Sequence, residues 1–339
     1  MGSRRDSTDL CEKLRWAGIV VCVAVGATRV LGSSYAVLPG VLQPVGMKGS
    51  LVVAQRGQRD SCVAGVDAET GGSLWRTHLP RVLLNGELCA ADNVVCAPAF
   101  YDGVYLLDAG NGALKAHLQT GHDDFAPKVC CGSGRILVGN NESHWRQILV
   151  AYDAEEGREL WRTSLARCYL WEAASRGNTF VLLASNPFGP GPPTPTTRWT
   201  QVTLKADSGR VVSRAAASKP ASLDIIPDTL PPPVSEWLTG LLRRKGGVFL
   251  ARTRIERLGD TWFVGNLPDK TAPSKVFAVQ GSTGKVVWQR SVPGLGAIAL
   301  LDDRLIAAGD RTKETSSRLQ ALDARTGRFL WALQLEEPA

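Results

Sequence analysis

A thirteen-residue segment recurs along this chain and limits what the chain can fold into. VAGVDAETGGSLW ends at Trp75, LVAYDAEEGRELW at Trp161, VFAVQGSTGKVVW at Trp288 and LQALDARTGRFLW at Trp331. Two degenerate copies fit the same frame, VYLLDAGNGALKA around Asp108 and VTLKADSGRVVS around Lys205. Aligned on the residue that opens the turn, the anchors are Asp67, Asp108, Asp153, Lys205, Gln280 and Asp323, spaced by 41, 45, 52, 75 and 43 residues. A glycine follows four positions later in every copy: Gly71, Gly112, Gly157, Gly209, Gly284 and Gly327.

Each copy reads as a strand, a tight turn and a returning strand. The strand before the turn alternates, as in Val276-Phe277-Ala278-Val279, so its residues pack above and below a sheet. An Asp at the strand end accepts N–H bonds from the turn that follows. The glycine supplies the positive φ that a three-residue hairpin with a bulge demands. Trp eight residues after the Asp sits on the returning strand, where its ring fills the gap between adjacent sheets and its N–H reaches a carbonyl. A period near 40–45 residues with about four strands per unit is the signature of a β-propeller. The expected fold is therefore all-β, a propeller of four-stranded antiparallel blades. Six blades are expected, with seven or eight as the alternative if one unit is too degraded to recognise.

The D-A-x-T-G-x-x-L-W unit resembles the pyrroloquinoline quinone (PQQ)-type propeller repeat from about Val41 to Leu335. That repeat occurs in quinoprotein dehydrogenases and in the barrel-assembly scaffold lipoprotein of Gram-negative bacteria. The resemblance implies a structural part for Asp67, Gly71, Trp75, Asp108, Gly112, Asp153, Gly157, Trp161, Gly209, Gly284, Trp288, Asp323, Gly327 and Trp331. It also implies two functions to choose between, a protein-binding scaffold and a small oxidoreductase carrying the quinone with calcium. Quinoprotein alcohol dehydrogenases carry adjacent cysteines beside the cofactor, and Cys130-Cys131 is the matching pair. It is placed at a turn before a strand Arg135 to Val138. Gly132 stands where an aspartate usually follows, and no Glu/Asn/Asp set matches a calcium site.

Composition agrees with a large packed core, at 44% hydrophobic and 21% charged residues. Thirty-five Gly and nineteen Pro suit a turn-rich protein. A formal charge of +7 without an interleaved aromatic platform argues against nucleic acid as a partner. Near the N-terminus Trp16 to Thr28 is uncharged for thirteen residues, the length of a secretory apolar segment rather than a membrane span. Ser34-Tyr35-Ala36 resembles a cleavage site. Residues 1–36 are expected to be a signal peptide or membrane anchor, and 37–339 the propeller, located in the periplasm or otherwise outside the cytoplasm. A buried strand is the competing interpretation of the apolar run.

All eight cysteines lie in the first half of the chain, without zinc-site spacing. Cys89 and Cys96 flank an expected hairpin turn at Asp92-Asn93, which sets them opposite one another. His122-Asp123-Asp124 forms a polar cluster that suits either a solvated turn or a cation. No nucleophile elbow, zinc-helix, P-loop or dinucleotide fingerprint is present. An enzymatic assignment would rest on fold analogy alone.

Two insertions break the blade pattern, at about 186–198 and 214–246. The first holds five prolines within NPFGPGPPTPTT and reads as an extended loop. In the second, Val234, Trp237, Leu238, Leu241 and Leu242 share one apolar face of a short helix, with Arg243, Arg244 and Lys245 at its C-terminal end. Trp237, Leu238, Leu241, Leu242, Arg243 and Arg244 are candidate partner contacts, the alternative being a helix that buries its apolar side on the propeller. Residues 247–258 and 261–266 are expected as inner strands of the blade carrying Trp288. Ring closure is expected through a strand from 37–55. The reading is an exported, non-enzymatic scaffold that binds protein and needs no cofactor.

Overall fold

Successive hairpins pair two by two into sheets, and six sheets stand around one axis. The computed structural model describes residues 40–41, 45–47, 49–56, 60–82, 84, 88–100, 102–119, 127–143, 146–166, 168–186, 197–217, 230–244, 255–266, 274–309 and 317–335. Blade 1 comprises β1 (Gly40–Val41), β2 (Val45–Met47), β3 (Ser50–Arg56), β4 (Ser61–Asp67) and β5 (Ser73–Leu79). Both β1 and β2 pair with β3, so together they fill one interrupted innermost position. Blade 2 is β6 (Cys89–Ala91), β7 (Val94–Ala99), β8 (Gly103–Asp108) and β9 (Leu114–Leu118). Blade 3 is β10 (Lys128–Gly132), β11 (Arg135–Ser143), β12 (Arg146–Asp153) and β13 (Glu159–Ala166). Blade 4 is β14 (Tyr169–Arg176), β15 (Thr179–Asn186), β16 (Arg198–Lys205) and β17 (Val211–Ala217). Blade 5 is β18 (Ile255–Leu258), β19 (Thr261–Asn266), β20 (Lys275–Gln280) and β21 (Val286–Ser291). Blade 6 is β22 (Leu295–Leu301), β23 (Arg304–Gly309), β24 (Arg318–Asp323) and β25 (Phe329–Gln334). Among the described residues one helix, α1 (Pro232–Arg244), lies between blades 4 and 5 in the chain.

All four strands of blade 6 come from 295–334, and every sheet follows chain order. The expected closing strand from 37–55 is therefore corrected: those residues build blade 1. Side chains close the ring instead. Leu51, Val53 and Val66 of blade 1 pack with Ile306, Leu319, Ala321 and Trp331 of blade 6, and the Trp331 indole donates to the Ala68 carbonyl at 3.2 Å.

The repeated turn explains its own sequence. Gly71 N–H donates to Asp67 C=O at 2.9 Å, and Asp67 N–H to Gly72 C=O at 2.8 Å. The loop is thus four residues, Ala68 to Gly71, rather than the three expected. Its last residue needs positive φ, which Gly71 meets at 74°. The bulge is real but lies farther on. Gly65 pairs with Trp75 and Val66 with Ser73, leaving Leu74 as the extra residue. The same break recurs seven positions after each turn-opening residue in all six blades.

That bulge delivers the eighth residue to the neighbouring blade. Trp75, Trp161, Trp288 and Trp331 each lie against the turn glycine of the next blade: Gly112, Gly209, Gly327 and Gly71. Each indole N–H donates to the carbonyl after that blade's turn-opening residue, at 2.8–3.2 Å. Across from each Trp the partner is small: Gly65, Ala151, Ala278 and Ala321. In blade 2, Ala116 replaces Trp and Leu106 stands opposite, and both approach Gly157. At the sixth junction Ser213 of blade 4 holds the Trp position. There Gly284 faces Pro233 at the start of α1. The helix takes the place of an indole.

Candidate functional site

The apolar side of α1 is spent on the propeller. Val234 and Leu238, with Leu230 just before the helix, are buried against Val264, Phe277 and Val279 of blade 5. Trp237 meets Phe277 edge-on, with ring centroids 5.3 Å apart. Residues 263, 276 and 278 of the same blade pack against blade 6, so the helix lies on the opposite face, toward blade 4. This corrects Leu238 as a partner contact: at 1% exposure it has no surface to offer. The side chains of Leu241, Leu242, Arg243 and Arg244 lie outside the described residues. The insertion also starts later than expected, because β17 continues to Ala217. Arg257 rests over the Trp262 ring at 5.1 Å and donates to Gly259 C=O.

Blade 4 differs from the others in its burial. Leu170, Phe180, Leu182, Val202 and Leu204 pack against blade 3, whereas Thr179, Val181 and Leu183 on the other face of β15 are only half-buried. That face carries Tyr169, Trp171 and Trp199. Tyr169 and Trp199 both pair with Ser185, and the Trp171 indole donates to the Ser185 hydroxyl at 2.8 Å. Centroid distances of 4.9 Å for Tyr169–Trp171 and 5.6 Å for Trp171–Trp199 make one half-exposed aromatic cluster. Sequence reasoning missed it. The available signal was that Trp171 and Trp199 stand outside the repeat frame.

The cysteines are ordered by strand alternation. Cys130 and Cys131 lie within the innermost strand of blade 3, not at a turn. Their side chains face opposite ways, Cys130 into the packing with blade 4 and Cys131 into the packing with blade 2. Cys89 and Cys96 are cross-strand partners in blade 2, as the turn at Asp92-Asn93 predicts. The Cys131 Sγ lies 3.2 Å from the Cys96 Sγ. Burial pushes the Cys96 and Cys130 thiols above the ordinary range, so neither presents a thiolate at neutral pH.

On blade 2, Tyr105 donates to Asp102 Oδ2 at 2.6 Å and stacks on His117 at 4.3 Å. Burial is the first cause raising the Tyr105 phenol, its bond to Asp102 the second. Among the described residues no group of three or more His, Cys, Asp or Glu side chains is arranged to hold a metal ion. No helix among them is long and apolar enough to cross a membrane. The expected leader at 1–36, the His122-Asp123-Asp124 cluster and most of the proline-rich loop lie outside the described residues.

Six four-stranded positions joined by Asp/Gly turns and wedged by indoles define a propeller of PQQ-like repeats. The chain belongs to that family: a family model described as outer membrane protein assembly factor BamB matches residues 18–167 and 145–339. Curated proteins give no match. Among solved structures, BamB from Moraxella catarrhalis is similar at 13% identity and a TM-score of 0.40, covering 86% of this chain and 72% of that one. Quinohemoprotein alcohol dehydrogenase from Comamonas testosteroni is similar at 14% identity and a TM-score of 0.43, covering 87% and 67%. A europium-containing methanol dehydrogenase gives 12% and 0.41, covering 91% and 80%.

Proposed function

We propose that this chain is an exported, non-enzymatic propeller that binds other proteins in the cell envelope and works without a bound quinone. The observation that carries the reading is the family match, which spans both halves of the chain under the description of an outer membrane assembly factor. The fold is compatible with it. Blade turns, indole wedges and sheet cores account for most of the motif residues, which leaves surfaces rather than a catalytic constellation as the working parts. The aromatic cluster of Tyr169, Trp171 and Trp199 is suited to meet an apolar protein segment, since aromatic rings carry much of the energy of protein interfaces.

The test uses the full chain with a C-terminal tag. Fractionation is expected to recover it with the envelope, and cross-linking there to join it to a defined protein neighbour. Trp171→Ala with Trp199→Ala should weaken that cross-link at unchanged thermal stability. Recovery in the cytoplasm, or saturable quinone binding with dye-linked alcohol oxidation, would overturn the reading.

A further inference from the structure

We propose that Cys131 forms a disulfide with Cys96, a covalent staple between the innermost strand of blade 3 and the second strand of blade 2. The two sulfurs already face each other at 3.2 Å across the blade junction. A disulfide closes at about 2.05 Å, so side-chain rotation of roughly an ångström completes it. Strand alternation removes the obvious rival. Cys130, adjacent in sequence, points into the blade 3–blade 4 packing beside Leu137 and Leu149. Cys89 is the other thiol in reach. It is the cross-strand partner of Cys96 and packs against the same buried cluster as Cys131.

Exposure orders the chemistry. Cys96 is fully buried, whereas Cys131 and Cys89 are partly exposed, so Cys131 meets the oxidant and Cys96 completes the bond. The oxidant is itself a disulfide, small or protein-borne. Cys131 loses its proton to water, and its thiolate attacks one sulfur of that disulfide. A mixed disulfide forms, the donor bond breaks, and one donor thiolate leaves and is protonated. Cys96 then loses its proton and attacks the Cys131 sulfur, which expels the second donor thiolate. Two protein thiols are oxidised to one disulfide, and one donor disulfide is reduced to two thiols. The Cys96 thiol is held up by burial and the Cys131 thiol is raised as well, so both steps run faster at alkaline pH.

The inference goes beyond the scaffold reading and stands without it, since purified full-length chain suffices for the test. The protein is incubated overnight at pH 8.5 with glutathione disulfide, alkylated, and digested at Asp92 and at Lys/Arg under non-reducing conditions. The expected product is a linked peptide containing Cys96 and Cys131, lighter by two hydrogens than its separated parts. Thermal unfolding should rise by roughly 4–8 °C and fall back on reduction. Cys130→Ser should keep both results and Cys131→Ser should lose both, while Cys96→Ser should move the bridge to Cys89. A Cys130–Cys131 or Cys89–Cys96 peptide, or full alkylation of Cys96 and Cys131 after oxidation, would overturn the proposal. In the unaltered chain Cys130 and Cys131 share the peptide VCCGSGR, so fragmentation of the linked peptide between those two residues decides the matter even if a variant fails to fold.

Discussion

At the scale of single residues, the turn carboxylates do the most with the least burial. Asp153 Oδ1 accepts from the N–H groups of Glu155 and Glu156 at 2.9 Å each. Asp323 Oδ1 accepts from Thr326 Oγ1 at 2.7 Å and from the N–H groups of Thr326 and Arg325. These bonds favour the ionised form and hold both carboxyls below their ordinary value, for Asp153 chiefly through Glu156 N–H and for Asp323 chiefly through the Thr326 hydroxyl. A lowered folded pKa gives stability that is complete above the unfolded value near 4 and is lost as pH falls through the folded value. Unfolding temperature should therefore drop between about pH 4 and pH 2. Asp153→Asn with Asp323→Asn should flatten that drop, and equal slopes in both proteins would contradict the account. The Asp was legible in the sequence because its turn is local. The sharing of its role in the Gln280 copy was not: Gln280 Oε1 accepts from the Thr283 hydroxyl at 2.8 Å, while Asp260, from the adjoining hairpin of blade 5, accepts from Ser282 N–H and Oγ. A carboxylate twenty-two residues away from its turn leaves no mark in the motif.

At the scale of elements, the returning strand and its bulge govern how blades meet. The expectation of an indole wedge at the eighth position was readable from four copies, but its complement was not. Trp requires Gly or Ala opposite, whereas Ala116 tolerates Leu106, so the two positions trade volume within one interface. Introducing Ala116→Trp alone should overpack the blade 2–blade 3 junction and cost about 1–3 kcal/mol. Adding Leu106→Ala should recover most of that loss in urea unfolding, and equal destabilisation of the single and double variants would refute the exchange. The helix is the second lesson at this scale. Its apolar periodicity was visible, but periodicity identifies a face without saying what covers it. Packing on Val264, Phe277 and Val279 answers that question. Leu238→Ala is expected to cost about 2–4 kcal/mol, as a buried Leu truncation does. A change below about 0.5 kcal/mol, the ordinary range for surface substitutions, would return Leu238 to the list of contacts.

At the scale of the whole molecule, the ring is closed by packing between blade 6 and blade 1 rather than by a strand shared between the chain's two ends. The six-blade count was legible because each blade repeats one local motif. The mode of closure was not, because it depends on Trp331 reaching Ala68 and Gly71 across a separation of 263 residues. Consecutive strands complete every sheet, so each blade is a unit of the chain as well as of the fold. The ends meet as any two neighbouring blades do, with β1 and β2 beside β22. Opening the ring elsewhere should then leave the packing intact. A circular permutant joining Leu335 to Gly40 through about ten residues, comparable to the 119–127 connection between blades 2 and 3 and opened within that connection, should fold. Its far-UV circular dichroism should match the parent, and its thermal transition should remain single and within a few degrees. A permutant that unfolds in two steps, or not cooperatively at all, would mean that continuity between blades 2 and 3 carries stability which their packed faces do not.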